Sequence, residues 1–100
     1  MAPLKLAIAG ANATRGWARD THIPALRAIP GIALHAVSAR TQDIADTAAA
    51  TFGAVRAYGD TLAMVCDPEV DVVAVLVKVP EHRAIVLAAL DAGKHVYCEW

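Results

Sequence analysis

Residues 4–17, LKLAIAGANATRGW, set a six-residue apolar run directly against a glycine. A short apolar run bounded by turn residues is how a strand buried on both faces reads, and a glycine just past it suits a tight strand-to-helix turn. The pattern repeats downstream. Residues 32–38 (IALHAVS) and 70–77 (VDVVAVLV) are further runs of this kind, so these three segments are predicted as central strands. A weaker strand is expected at 55–58 (VRAY), and another in KHVYCEW at 94–100.

Between the runs the apolar period changes from strand to helix. THIPALRAI at 21–29 sets Ile23, Leu26 and Ile29 on one side, and QDIADTAAATF at 42–52 sets Ile44, Ala48 and Phe52 on one stripe. Thr41 is the expected N-cap, Asp43 complements the positive first turn, and Gly53 supplies the left-handed stop. A short helical segment is expected around 62–66, and PEHRAIVLAALDAG at 80–93 reads as a helix ended by Gly93. Strands alternating with crossover helices imply an α/β fold, a doubly wound parallel sheet with helices on both faces.

The chain has 100 residues, 57% of them hydrophobic, which suffices for one core and hence one domain over 1–100. A charged fraction of 19%, a formal net charge of −1 and the lack of any basic run argue against direct nucleic-acid binding. Cys66 and Cys98 have no C-x-x-C spacing and too few partners for a metal cage, so two reduced thiols and no metal site are expected. The apolar run at the start is too short for a signal peptide or a membrane span, and a cytoplasmic protein is expected.

In a doubly wound sheet, ligands bind beyond the carboxyl ends of the strands, near the reversal in strand order. Those ends here are Gly10 to Trp17, Ser38 to Thr41, Lys78 to His82, and Glu99 with Trp100. In the G-x-G-x-x-G fingerprint the first glycine makes the turn, the second admits the pyrophosphate, and the third lets helix and strand pack closely. Gly10 fills the first role. Asn12 stands at the second, where it tolerates positive φ and offers an amide donor, while Arg15 stands at the third with Gly16 one place later. The loop of Gly10, Asn12, Ala13, Thr14, Arg15 and Gly16 therefore reads as a lengthened phosphate loop near a helix N-terminus. A plain strand-to-helix connection is the alternative.

NAD-preferring sites usually carry an acid after the second strand, where it accepts from the ribose 2′-hydroxyl. This chain has Ser38-Ala39-Arg40-Thr41 there. Ser38 and Thr41 offer hydroxyl donors, and Arg40 can pair with a 2′-phosphate or stack on adenine, so NADP is expected over NAD. The competing reading of Arg40 is a solvated charge before a capped helix.

Taken together, GANATRG followed by HIPAL, then VSAR, then VDVVAVLVKVPEHRAIVLAALDAGKHVYCEW, resemble the N-terminal Rossmann domain of the glucose-fructose oxidoreductase/inositol dehydrogenase (Gfo/Idh/MocA) family. The likeness covers essentially the whole chain, and its most specific part is AGKHVYCE, similar to the family's A-G-K-H-V-x-x-E-K-P. The resemblance implies a second, larger α/β domain that completes the substrate pocket and forms the homo-oligomer interface. That domain is absent from residues 1–100, which are expected to stop before the last elements of the first. By the same resemblance Val79, Pro80 and His82 line the cofactor crevice and Glu99 lies near the nicotinamide ribose. His82 has a second reading as a capping or exposed imidazole, and His22 as either a neighbour of the nicotinamide or a helix-surface residue.

The largest departure is Trp100, grouped with Glu99 in the cofactor set, which stands where the family has a Lys that binds the substrate hydroxyl and assists proton transfer. An indole N–H donates only and cannot do this, so no residue of the chain is assigned a catalytic role. The asparagine-bearing loop, the H-x-P-A and the E-W ending resemble most the galactose/lactose metabolism regulatory branch of the family. Two functions follow as expectations: an NADP-dependent oxidoreductase acting on a sugar or polyol, or a dinucleotide-sensing regulator without turnover. A doubly wound domain that binds no dinucleotide is the third.

Overall fold

The computed structural model describes residues 2–99. Five strands, β1 (Leu4–Ala9), β2 (Ile32–Ser38), β3 (Arg56–Tyr58), β4 (Val72–Val75) and β5 (His95–Cys98), form one parallel sheet in the order β3-β2-β1-β4-β5. The fold is the α/β Rossmann type. The order reverses between β1 and β4, which makes the gap beyond their carboxyl ends the natural ligand crevice.

Four helices cover the sheet: α1 (Ile23–Ala28), α2 (Gln42–Phe52), α3 (Thr61–Val65) and α4 (His82–Asp91). Strand alternation divides the core. Leu6, Ile8, Val37 and Ala74 meet Ala48 and Phe52 of α2 and Ile23 of α1, while Ala7, Ala9, Val73 and Val75 meet Met64 of α3 and Ile85 of α4. Each fully buried Ile, Val or Met here contributes about 1.5–3 kcal/mol relative to exposure.

The α2 boundaries follow the predicted caps. Thr41 accepts from the Ile44 N–H at 3.3 Å, and Gly53 ends the helix at φ 82°. Several apolar positions fall differently from their periodic pattern. Ile44 is 37% exposed and faces the crevice, so α2 buries Ala45, Ala48, Ala49 and Phe52 instead. Ile29 is also exposed, because the chain leaves α1 in an extended conformation there. Of the run 70–77 only Val72–Val75 is strand. Val70 packs in the core from a turn whose N–H donates to Asp67 O, and beyond Val75 the chain bends away over Gly10.

The β1–β2 register slips between Leu6 and Ala7, which pair with Leu34 and Ala36, so His35 is an inserted residue. The insertion re-aims its ring into the sheet face. His35 Nε2 lies 3.2 Å from Asp67 Oδ2, which also accepts from the Tyr58 hydroxyl at 2.8 Å, while Oδ1 accepts from the Glu69 N–H at 2.8 Å. Asp67 is buried. Burial pushes its pKa up, but the Glu69 N–H, the Tyr58 hydroxyl and His35 together outweigh that and hold it below the ordinary carboxylate value.

Candidate functional site

Gly10 makes the turn at the end of β1 with φ 97°, and its N–H and that of Ala11 both donate to Ser38 O, at 3.1 and 2.9 Å. The turn is thereby fixed to the end of β2. A Cβ on Gly10 would lie 3.0 Å from Val77 Cγ1 and 3.1 Å from Leu76 C and O, so this residue also allows the close approach of β1 to the exit from β4.

Asn12 does not take over the positive φ of the missing glycine, since among the described residues only glycines have positive φ. The loop instead uses its extra length, placing its second left-handed residue at Gly16, φ 100°. Asn12 Oδ1 accepts from both the N–H and the hydroxyl of Thr14 at 2.9 Å, which folds the loop on itself. The Thr14 hydroxyl, expected to face a ligand, is committed to that bond. Among the described residues the N–H groups of Asn12, Ala13, Arg15 and Gly16 have no protein acceptor. The helix after the loop begins with a wide five-residue turn, Ala18–His22, and α1 adds only six residues, so dipole support for an anion is smaller than a long helix would give.

Ser38 at the end of β2 is fully buried, and its Oγ lies 2.8 Å from Thr61 Oγ1, so it ties β2 to α3. The cause is strand parity: Ser38 points to the α3 face. Arg40 is exposed, and Thr41 spends its hydroxyl oxygen on the α2 cap.

Arg40 borders two hollows. One, of about 280 Å³, is shared with Gly10, Thr61, Leu76, Lys78 and Glu81; the other, of about 150 Å³, with Asn12, Arg15 and Ile44. A third, of about 240 Å³, continues past Ala13 and Thr14 to Asp43 and Thr47. Among the described residues none of Arg15, Arg40 and Lys78 has a carboxylate within 4.0 Å. Lys78 and Ile44 were not among the predicted site residues. The signal for Lys78 was available, a lone cation where an eight-residue apolar run ends; Ile44 was assigned to the core by its period.

Val79 and Pro80 stand exposed in a 3₁₀ turn, Val79–Glu81, between β4 and α4. His82 behaves as a cap. Its Nε2 donates to Val77 O at 2.6 Å, which leaves Nδ1 to accept from the Cys98 thiol at 3.4 Å, so the ring joins the ends of β4 and β5. Both cysteines are free and exposed. Glu99 turns to the opposite face, where Oε1 accepts from Tyr97 OH at 3.1 Å and lies 3.2 Å from His22 Nε2 without hydrogen-bond alignment. The bond to Glu99 raises the Tyr97 pKa. Glu99 and His22 border a separate apolar groove of about 420 Å³ with Trp17, Leu26, Ile29 and Tyr97. Trp100 lies outside the described residues.

Unbonded amides in the loop, three unpaired cations and a left-handed glycine at the reversal of strand order suit a ligand that carries phosphates. The fold and these residues define a dinucleotide-binding domain of the doubly wound class. Residues 4–100 match the model of the Gfo/Idh/MocA oxidoreductase family, NAD-binding Rossmann fold, and the chain belongs to that family. It is 35% identical over 92 residues to the uncharacterized oxidoreductase ORF334 of Rhizobium meliloti, covering 90% of this chain and 27% of that protein. Among solved structures it is similar to myo-inositol dehydrogenase from Lactobacillus casei in complex with NAD(H) and myo-inositol, with 28% identity and a TM-score of 0.81 over 96% of this chain and 28% of that one. Gal80p of Saccharomyces cerevisiae shares the fold, with a TM-score of 0.86 at 20% identity over 99% of this chain and 28% of that one. The chain thus spans little more than a quarter of the length of these relatives.

Proposed function

We propose that the chain is the NADP-binding part of an oxidoreductase that transfers hydride between the nicotinamide and a sugar or polyol. The observation that carries the coenzyme choice is Arg40, exposed, without a carboxylate partner among the described residues and bordering the hollow at the strand-order reversal, where β2 ends without an acid. A 2′-phosphate would meet a guanidinium there instead of a repelling carboxylate. The free amides of the Asn12 to Gly16 loop would receive the pyrophosphate. When bound, the nicotinamide supplies the hydride acceptor or donor. The polyol class is supported by the inositol dehydrogenase to which the chain is similar. The reading also places the protein in the cytoplasm, as a homo-oligomer built through a following domain, with no direct contact with nucleic acid.

Fluorescence titration of the chain with NADPH and NADH tests the coenzyme choice. NADPH should bind more tightly, and Arg40→Ala should weaken NADPH more than NADH; equal losses refute the assignment.

A second reading is favoured by Trp100, which occupies the position of the family's proton-transferring Lys. On this reading the protein senses the dinucleotide without turnover, as a regulator of the galactose-repressor type. Turnover of a panel of sugars and polyols with NADP, with and without Trp100→Lys, separates the two. Activity only in the variant supports the sensor.

A further inference from the structure

Lys78 borders the same 280 Å³ hollow as Arg40, on the opposite wall, where β4 gives way to the 3₁₀ turn. Gly10 lines the hollow with them; its turn is bonded to the end of β2, and a Cβ added there would lie 3.1 Å from Leu76 C and O. Among the described residues the only acid that borders this hollow is Glu81, and it lies within 4.0 Å of neither cation. Two positive side chains against one negative leave the hollow with an excess charge of +1. A solvated surface lysine ordinarily stands on a convex face or beside a carboxylate. Here two cations border one concavity with a single acid to offset them, which is the arrangement that recruits a multiply charged anion.

The place of the hollow at the end of β2 suits the phosphate on the adenosine ribose, whereas the longer Asn12 to Gly16 loop has the free amides for the pyrophosphate. We propose that Lys78 is a specificity-determining residue, the second cation of a two-armed clamp that holds the coenzyme's 2′-phosphate between Arg40 and itself. The inference rests on the NADP reading above. It adds a residue that follows β4, which a fingerprint confined to the first and second strands does not include. Glu81 belongs to the same device. It trims the charge of the hollow, so removing its charge should tighten phosphate binding.

Adenosine 2′,5′-bisphosphate and adenosine 5′-monophosphate differ only in the 2′-phosphate, and the ratio of their affinities for the chain isolates this subsite without need of turnover. By calorimetric titration at fixed salt the bisphosphate should bind more tightly. Lys78→Ala and Lys78→Met should each lower the ratio about tenfold, the order expected for losing one charge-assisted contact. Lys78→Arg should restore most of it, and Glu81→Gln should raise it. The Lys78 variants should unfold at the wild-type temperature, since the side chain makes no hydrogen bond among the described residues. A ratio unchanged in both the Ala and Met variants, while Arg40→Ala abolishes it, overturns the role of Lys78 and leaves the NADP reading intact. A wild-type ratio of one overturns the NADP reading itself.

Discussion

Replacing Gly10 with alanine tests the packing on which the crevice depends, and Gly16→Ala is its internal control. Both residues are left-handed, with φ near 97° and 100°. An L-residue held at such a φ costs about 1–2 kcal/mol at either site. The two differ in what the new methyl meets. At Gly16 nothing lies within 4 Å, whereas at Gly10 the Cβ would sit 3.0 Å from Val77 Cγ1 and 3.1 Å from Leu76 C and O. Val77 can rotate away. The Leu76 carbonyl is less free, because the N–H of the same residue is held to Ala9 O at 3.0 Å, the bond that joins this segment to β1. Overpacking against a fixed backbone adds about 1–3 kcal/mol, so Gly10→Ala should lose about 2–5 kcal/mol in all and Gly16→Ala about 1–2. At about 4–8 °C per kcal/mol for a domain of this size, Gly10→Ala should lower Tm by about 8–40 °C and Gly16→Ala by about 4–16 °C. Urea and thermal unfolding followed by far-UV circular dichroism provide the measurement. Equal losses in the two variants, or a larger one for Gly16→Ala, would show that the β1–β4 approach is not where the constraint lies.

Asp67→Ala should cost about 3–5 kcal/mol, because it strips a buried acceptor from Tyr58, Glu69 N–H and His35 at once. A loss below 1 kcal/mol in urea unfolding would contradict the network. The same residues set a pH window. The folded pKa of Asp67 lies below its ordinary 3.8, so its stabilisation is complete above that value and disappears as pH falls through the lowered one. The Tyr58 pKa is raised above 10.0, by burial first and then by its bond to Asp67, so its contribution is complete below 10 and is lost as pH rises through the higher folded value. Stability measured against pH should fall off at both ends, and Asp67→Ala should flatten the acid limb. Ser38→Ala should leave the NADPH/NADH affinity ratio unchanged while lowering stability by about 1 kcal/mol, because Thr61 Oγ1 loses its buried partner; a change in the ratio would return Ser38 to the ligand site.

The site was partly legible before the fold. Gly10 and Arg40 stand where the fingerprint and the end of β2 put them, because both positions are defined by distance along the chain from a strand that hydropathy reveals. The direction of the Ser38 hydroxyl was not legible, for a physical reason. Adjacent residues at a strand end point to opposite faces, and hydropathy does not tell which face a serine takes when a threonine 23 positions away waits to bond it. The partners of His82 and Glu99, Val77 O in one case and Tyr97 in the other, were likewise not readable from hydropathy. Asn12 kept an ordinary φ because a longer loop gives the chain room to turn at Gly16.

The amino-acid order alone determined the parallel strands, the capped helices between them and the place of the glycine turn, since burial on two faces and helix termination act over a few neighbouring residues. The tertiary structure decided which side chains share a hollow. Lys78 and Arg40 border one hollow only because the sheet order sets β1 between β2 and β4, and Asp67 gains His35 only because an inserted residue in β2 turns the ring inward. Electrostatic and hydrogen-bond partners are fixed by distance in space, and distance in space between remote residues is settled by packing.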